Sequence, residues 1–161
     1  MREGQPGAAQ GPKNRAQTSP NRLSILLTFV GNHDPYANGE PGPVLSLLSV
    51  RSFDRVFLVY TGDRYLEIAR TVEHAGKELF PNTLFNFVSL DLASPVDYEE
   101  IYTRLSGAVS LVIENNRHLD PEYSVLLDPG TPQMQTIWFL LAKSGFLPAR
   151  LLQGVPAQFA G

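Results

Sequence analysis

Three short segments of the 161-residue chain gather residue types that can hold a ligand. In Gly31-Asn32-His33-Asp34-Pro35-Tyr36, a carboxamide, an imidazole, a carboxylate and an aromatic ring fall within six residues. Asn32 can hydrogen-bond a purine edge and Tyr36 can stack on its face. The same residues also make an ordinary capped polar turn. Thr61-Gly62-Asp63-Arg64 offers a glycine over which a ligand can approach the main chain, and an arginine that can meet a phosphate. It also reads as a plain strand-to-helix turn with Asp63 as the cap. Asp128-Pro129-Gly130-Thr131-Pro132-Gln133-Met134-Gln135 carries the strongest local signal. A glycine, a hydroxyl and free first-turn amides at the start of a helix form a phosphate cradle in physical terms. Gln133 and Gln135 add polar groups able to read a base edge or a ribose, beyond what a capped helix start requires.

Other chemistries are absent. No GxGxxG follows the first strand, and neither GxxxxGK[ST] nor GxSxG occurs. With no cysteine there is no disulfide, thiolate metal site or cysteine nucleophile. His33, His74 and His118 are scattered, and His33-Asp34 lacks the further ligands of a metal site. His74 reads as a partly buried or surface residue and His118 as a solvated loop residue. No cofactor is expected.

The elements that must position these loops follow from hydrophobic patterning. Leu23–Val30, Arg55–Tyr60, Phe85–Leu92, Tyr123–Leu127 and Ala149–Leu152 read as strands, and Phe85–Leu92 alternates as a less buried one would. Between them, helices are predicted from Pro43 to about Val50 and from Asp63 to Leu79. Two more run from Asp97 to about Asn116 and from Pro132 to Ser144. Asp97 with Glu100 resembles a capping box, Thr131 is an N-cap before Pro132, and Gly145 is a C-terminal cap. Alternating buried strands and helices imply an α/β fold, a mainly parallel sheet with helices on both faces. In such folds ligands bind at the carboxyl ends of the strands, where all three loops lie. Helix 132–144 is apolar nearly all round, with Phe139 and Leu140 on a face that one sheet cannot cover.

Charge divides the chain. Residues 1–22 carry Arg2, Lys13, Arg15 and Arg22 against Glu3, a net +3, and are rich in Gly, Pro, Gln and Asn. They are expected to form a disordered arm, with residues 23–161 as the single folded domain. That domain carries 9 Lys/Arg against 15 Asp/Glu, a net −6, which argues against duplex DNA as a partner. No apolar run reaches the ~20 residues of a membrane span, and no secretory signal is visible. The expectation is a cytoplasmic protein.

Taken together, the loops resemble those of a CARF domain, the Rossmann-like sensor domain of CRISPR-associated effectors. Gly31–Tyr36 and Gly130-Thr131-Pro132-Gln133-Met134 carry the resemblance. GPVLSLLSVRSFDRVFLVYT (42–61) and WFLLAKSGFLPARLLQ (138–153) resemble the branch found in the N-terminal half of RNA-repair operon regulators and in CARF–adenosine deaminase effectors. The resemblance implies a Rossmann-like fold and a homodimer that encloses a cyclic oligoadenylate, usually of four or six nucleotides. The site would be lined by Gly31 to Asp34 with Tyr36, by Thr61 to Arg64 and by Gly130 to Gln135. Phosphates would meet the amides of Gly130, Thr131 and Gln133; adenines would meet Asn32, Tyr36 and Met134. Binding would switch on an attached effector in type III CRISPR defence, and that effector is expected to lie outside this chain. Two alternatives remain. One is a ring nuclease, with His33 and Thr131 as helpers and little cationic support beyond Arg64. The other is the sensor half of an RNA-repair transcriptional regulator that takes an RNA end.

Overall fold

β1 (Ser24–Phe29) is buried along five of its six residues, as a strand covered on both faces must be. The computed structural model describes residues 22–154, so residues 1–21 of the expected arm lie outside it. Arg22 at that boundary donates to the carbonyls of Asp120 and Pro121, at 3.0 and 2.8 Å.

From β1 the chain passes through a two-stranded hairpin, β2 (Tyr36–Ala37) and β3 (Glu40–Pro41), to α1 (Pro43–Val50). The alternation β4 (Arg55–Tyr60), α2 (Gly62–Leu79), β5 (Leu84–Ser89), α3 (Tyr98–Asn116) follows. A single 3₁₀ turn, Arg117–Leu119, then leads to β6 (Glu122–Leu126), α4 (Pro132–Lys143) and β7 (Ala149–Leu152). The sheet order is β5-β4-β1-β6-β7, and every pairing in it is parallel. The fold is thus the expected Rossmann-like α/β arrangement, with β1 at its centre.

The two faces have separate cores. Leu26, Val56 and Leu58 pack on one face with Val44 and Leu48 of α1 and Ala69 and Val72 of α2. Ile25, Leu27, Phe29 and Val125 pack on the other with Ile101, Leu105 and Val109 of α3 and Ile137, Trp138 and Leu141 of α4. Each of these buried aliphatic side chains contributes on the order of 2 kcal/mol of transfer free energy. β5 is an edge strand, and Leu84 and Phe87 are exposed there, in keeping with its reading as a less buried strand.

Local details correct three expectations. Strand β5 spans 84–89 rather than 85–92. Asp63 does not cap α2, because the cap position falls two residues earlier, at Thr61, which makes no side-chain cap bond. Asp97 caps α3 by accepting from the Glu99 and Glu100 amides, but the box is not reciprocal. The Glu100 carboxylate turns away to accept from the Ala93 and Ser94 amides, at 2.6 and 3.0 Å. A hairpin over 36–41, which the sequence pattern did not reveal, turns on Asn38 and Gly39 with φ of 54° and 79°.

Candidate functional site

After β5 the chain crosses to the far side of β1 to form β6, so the order reverses between β1 and its two neighbours. This is the switch point of an open α/β sheet. The strand tips diverge there and leave a cleft of about 470 Å³. The loops after β1 and β6 meet in it: a Cβ on Gly31 would stand 3.4 Å from Cβ of Pro129.

The loop after β1 is built around Asp34, which is 4% exposed. Its two carboxylate oxygens accept from the Gly31 amide at 2.9 Å and the Val44 amide at 3.1 Å. One side chain thereby ties the β1 tip to the first turn of α1. Burial pushes its carboxyl above the ordinary 3.8, opposed by the two amide bonds and by nearby His33 and reinforced by Asp128. Asp34 is therefore a scaffold of the loop rather than a group free to take a ligand. The loop carries Asn32 and His33, both exposed, into the cleft wall. The Asn32 Oδ1 accepts from Arg64 Nη2 at 2.8 Å and from the Tyr65 hydroxyl at 3.2 Å, and the Arg64 guanidinium lies 5.6 Å from the centre of the Tyr65 ring. Arginine only donates, so this pairing leaves the Asn32 amide NH₂ as the outward group.

The loop after β6 closes the other side. Thr131 Oγ1 donates to the Pro95 carbonyl at 2.7 Å and accepts from the Met134 amide at 3.2 Å. The hydroxyl is thus committed at both ends, as an N-cap and as a clasp on the loop after β5. The Thr131 amide points to the Met134 sulfur at 3.4 Å. The amides of Asn32, His33, Gly130 and Gln133 take no acceptor among the described residues. Gly130 has φ 101°, a left-handed conformation that suits glycine.

Of the residues expected from sequence, Gly31, Asn32, His33, Asp34, Thr61, Gly130, Thr131 and Met134 line the cleft. Tyr36 stands half-exposed on the hairpin, outside the lining. Gly62, Asp63 and Arg64 lie at the rim on the start of α2, and Pro132, Gln133 and Gln135 on α4 are likewise outside the lining. Gln135 folds back toward the Asp128 carbonyl at 3.5 Å, and the Gln133 Oε1 is buried without a partner. Sequence reasoning missed Phe29, Tyr65, Leu92 and Pro95 as lining residues. The loop after β5 could have been found by treating every strand tip as a contributor. The cleft holds the carboxylates of Asp34 and Asp128, and no lysine or arginine lines it. Among the described residues no cluster of acidic, His or Cys side chains is placed to hold a metal ion.

The architecture is a Rossmann-like α/β domain with an open cleft at the switch point of its sheet. The chain belongs to the family described as RtcR, regulator of RNA terminal phosphate cyclase, which matches residues 42–160. It is 30% identical over 146 residues to the transcriptional regulatory protein RtcR of Escherichia coli K12, covering 84% of this chain and 26% of that protein. The chain therefore spans about a quarter of that curated relative. Its fold is similar to that of Enterococcus italicus Csm6 bound to cyclic hexa-2′-fluoro-hexa-dAMP. There the TM-score is 0.71 at 20% identity, over 86% of this chain and 35% of that one. It is also similar to a type III CRISPR defence DNA nuclease activated by cyclic oligoadenylate, with a TM-score of 0.54 at 18% identity, over 84% of this chain and 19% of that one. Among the described residues no helix is long and apolar enough to cross a membrane.

Proposed function

We propose that this domain is the sensor of an RtcR-type regulator. Its strand-tip cleft binds a short RNA ligand and passes the bound state to an attached regulatory or effector segment. The observation that carries this reading is the meeting of the Gly31 and Gly130 loops at the switch point, with unspent amides of Asn32, His33 and Gly130 around an open cleft. Main-chain donors and a helix N-terminus supply positive ends where no lysine or arginine lines the walls.

Cyclic oligoadenylate of four or six nucleotides is the first ligand reading, and it requires two copies of the chain. A cleft of about 470 Å³ lies within the ~300–1,000 Å³ of sites for drug-sized ligands, too small alone for such a ring. Two clefts facing across a twofold axis supply the space. Phe139 and Leu140, about half exposed on α4, offer an apolar surface for that pairing.

Family membership favours a second ligand, an RNA end carrying a terminal phosphate, for which one cleft suffices. The ring-nuclease alternative loses a helper, since the Thr131 hydroxyl is committed to Pro95 and to the Met134 amide.

Isothermal titration of the chain with cyclic tetra-adenylate, cyclic hexa-adenylate, and a linear oligoadenylate with and without a 3′-terminal phosphate separates these readings. Heat with a ring supports the first. Heat only with the phosphate-ended RNA supports the second. No heat with any of them overturns the proposal.

A further inference from the structure

A larger cleft, about 1140 Å³, opens at the opposite end of the sheet, among the amino ends of the strands. Its composition departs from the rest of the molecule. Residues 22–154 carry 10 Lys/Arg and 15 Asp/Glu. Four of those bases line this cleft, Arg22, Arg51, Arg117 and Arg150, against two of the acids, Asp120 and Glu122. The strand-tip cleft has the reverse balance, with no lysine or arginine in its lining.

The arginines are not equally committed. Arg22 is spent on the Asp120 and Pro121 carbonyls and lies 3.6 and 3.5 Å from the two acids. Arg117 has one exposed partner, Glu114 at 2.7 Å, of the kind that contributes little. Arg51 and Arg150 are exposed and make no ion pair among the described residues. Arg51 and Arg117 follow the carboxyl ends of α1 and α3, where cations suit the helix dipole. That local reason does not extend to Arg150 on β7, nor to Phe146, an aromatic ring 44% exposed in the same lining. Tyr123 lines the cleft too, and its buried hydroxyl finds no hydrogen-bond partner among the described residues. Burial raises its titration further above 10.0, so the phenol stays protonated as a donor.

Arginine guanidiniums match phosphate oxygens, and a ring beside them suits a flat base. We propose that this cleft is a second ligand site, for a nucleotide-class anion whose phosphates sit on Arg51, Arg117 and Arg150 and whose base stacks on Phe146. The assignment is independent of the strand-tip cleft, because the two sites share no residue.

The test is ¹H–¹⁵N NMR titration of the 161-residue chain with adenosine diphosphate and, separately, with inorganic pyrophosphate. Both are expected to give saturable shifts around Arg51, Arg117 and Arg150 that weaken as salt rises. Replacing both Arg51 and Arg150 by glutamate should weaken either ligand about tenfold or more. Phe146→Ala should weaken adenosine diphosphate and leave pyrophosphate unchanged. All three positions are exposed, and unchanged resonances elsewhere will verify the fold of each variant. Shifts confined to the Gly31 and Thr131 region, or no saturable shift at low salt, overturn the site. Equal affinity in the glutamate variant overturns the phosphate assignment, and an unaffected Phe146→Ala overturns the nucleotide class.

Discussion

Both oxygens of Asp34 accept main-chain amides, so a neutral isostere cannot replace it without loss. An asparagine has one acceptor oxygen, and its NH₂ would face one of the two amides. Leaving a buried donor unpaired costs about 1–3 kcal/mol. Asp34→Asn is therefore expected to lower stability by that amount in urea denaturation at pH 7. The pH dependence has a definite sign. Burial raises the carboxyl in the folded state above 3.8, so the protonation-linked part of its stability is fully present below the unfolded value and is lost as pH rises through the folded one, leaving the two amide bonds as what the side chain holds at pH 7. The Asn variant should lack that decline, and the gap between the two proteins should change across this interval. Parallel pH curves for the two proteins would contradict the assignment. Arg64 tests the ligand side. It fixes the Asn32 carboxamide rather than lining the cleft, so Arg64→Ala should weaken the RNA binding proposed for this cleft about five- to tenfold, near the ~1 kcal/mol of one hydrogen bond. The dependence of binding on salt should barely change, because a positioning residue makes no phosphate contact. A flattened salt slope in calorimetry would instead place the guanidinium on the phosphate.

At the scale of elements, the hairpin and α1 are held against the β1 tip through Gly42. A Cβ there would collide with the His33 carbonyl and stand 2.8 Å from an Asp34 oxygen, and the Gly42 amide donates to the Pro35 carbonyl at 2.6 Å. Backbone on one side and a buried carboxylate on the other leave nothing that can yield. Gly42→Ala is expected to destabilise the protein by more than about 2 kcal/mol and to abolish ligand binding, whereas Gly39→Ala, with open space around it, pays only for its left-handed φ. Thermal denaturation of the two variants checks the contrast. This seat was not legible in the sequence, since the Asn38-Gly39 turn signal sits between strands of only two residues each. The parallel sheet and its helices were legible, because LSILLTFV and RVFLVY are too apolar to be anything but covered strands. The Thr131 cap and Pro132 start were legible for the same local reasons. What the sequence could not show is which polar groups the fold consumes. Asp34 and Gln135 were read as ligand groups and each turns to a main-chain partner, while the Thr131 hydroxyl, read as a cap, also clasps the distant Pro95 carbonyl.

At the scale of the molecule, α4 joins two surfaces. Its first turn forms a wall of the strand-tip cleft with Met134, and its middle packs Trp138 edge-on against Phe29, 5.8 Å between ring centres. Phe29 itself lines the cleft, so a ligand that moves Phe29 must move α4 or repack it. The following residues, Phe139 and Leu140, are exposed at 48% and 47%. In the proposed shared site, an apolar face on this helix would let a change in one protomer reach the other through a twofold contact. Replacing Phe139 and Leu140 together by glutamate leaves the core untouched and places four like charges across that contact. With two copies paired as proposed, sedimentation should report a dimer for the parent chain and a monomer for the variant, with unchanged far-ultraviolet circular dichroism. Affinity for a cyclic oligoadenylate should fall more than about tenfold, because half of the enclosing surface is gone. An RNA end held in one cleft would keep its affinity in the same variant. The mass and the affinity are thus expected to fall together for a ring, and a monomeric variant that binds the ring as tightly as the parent would rule out the shared site.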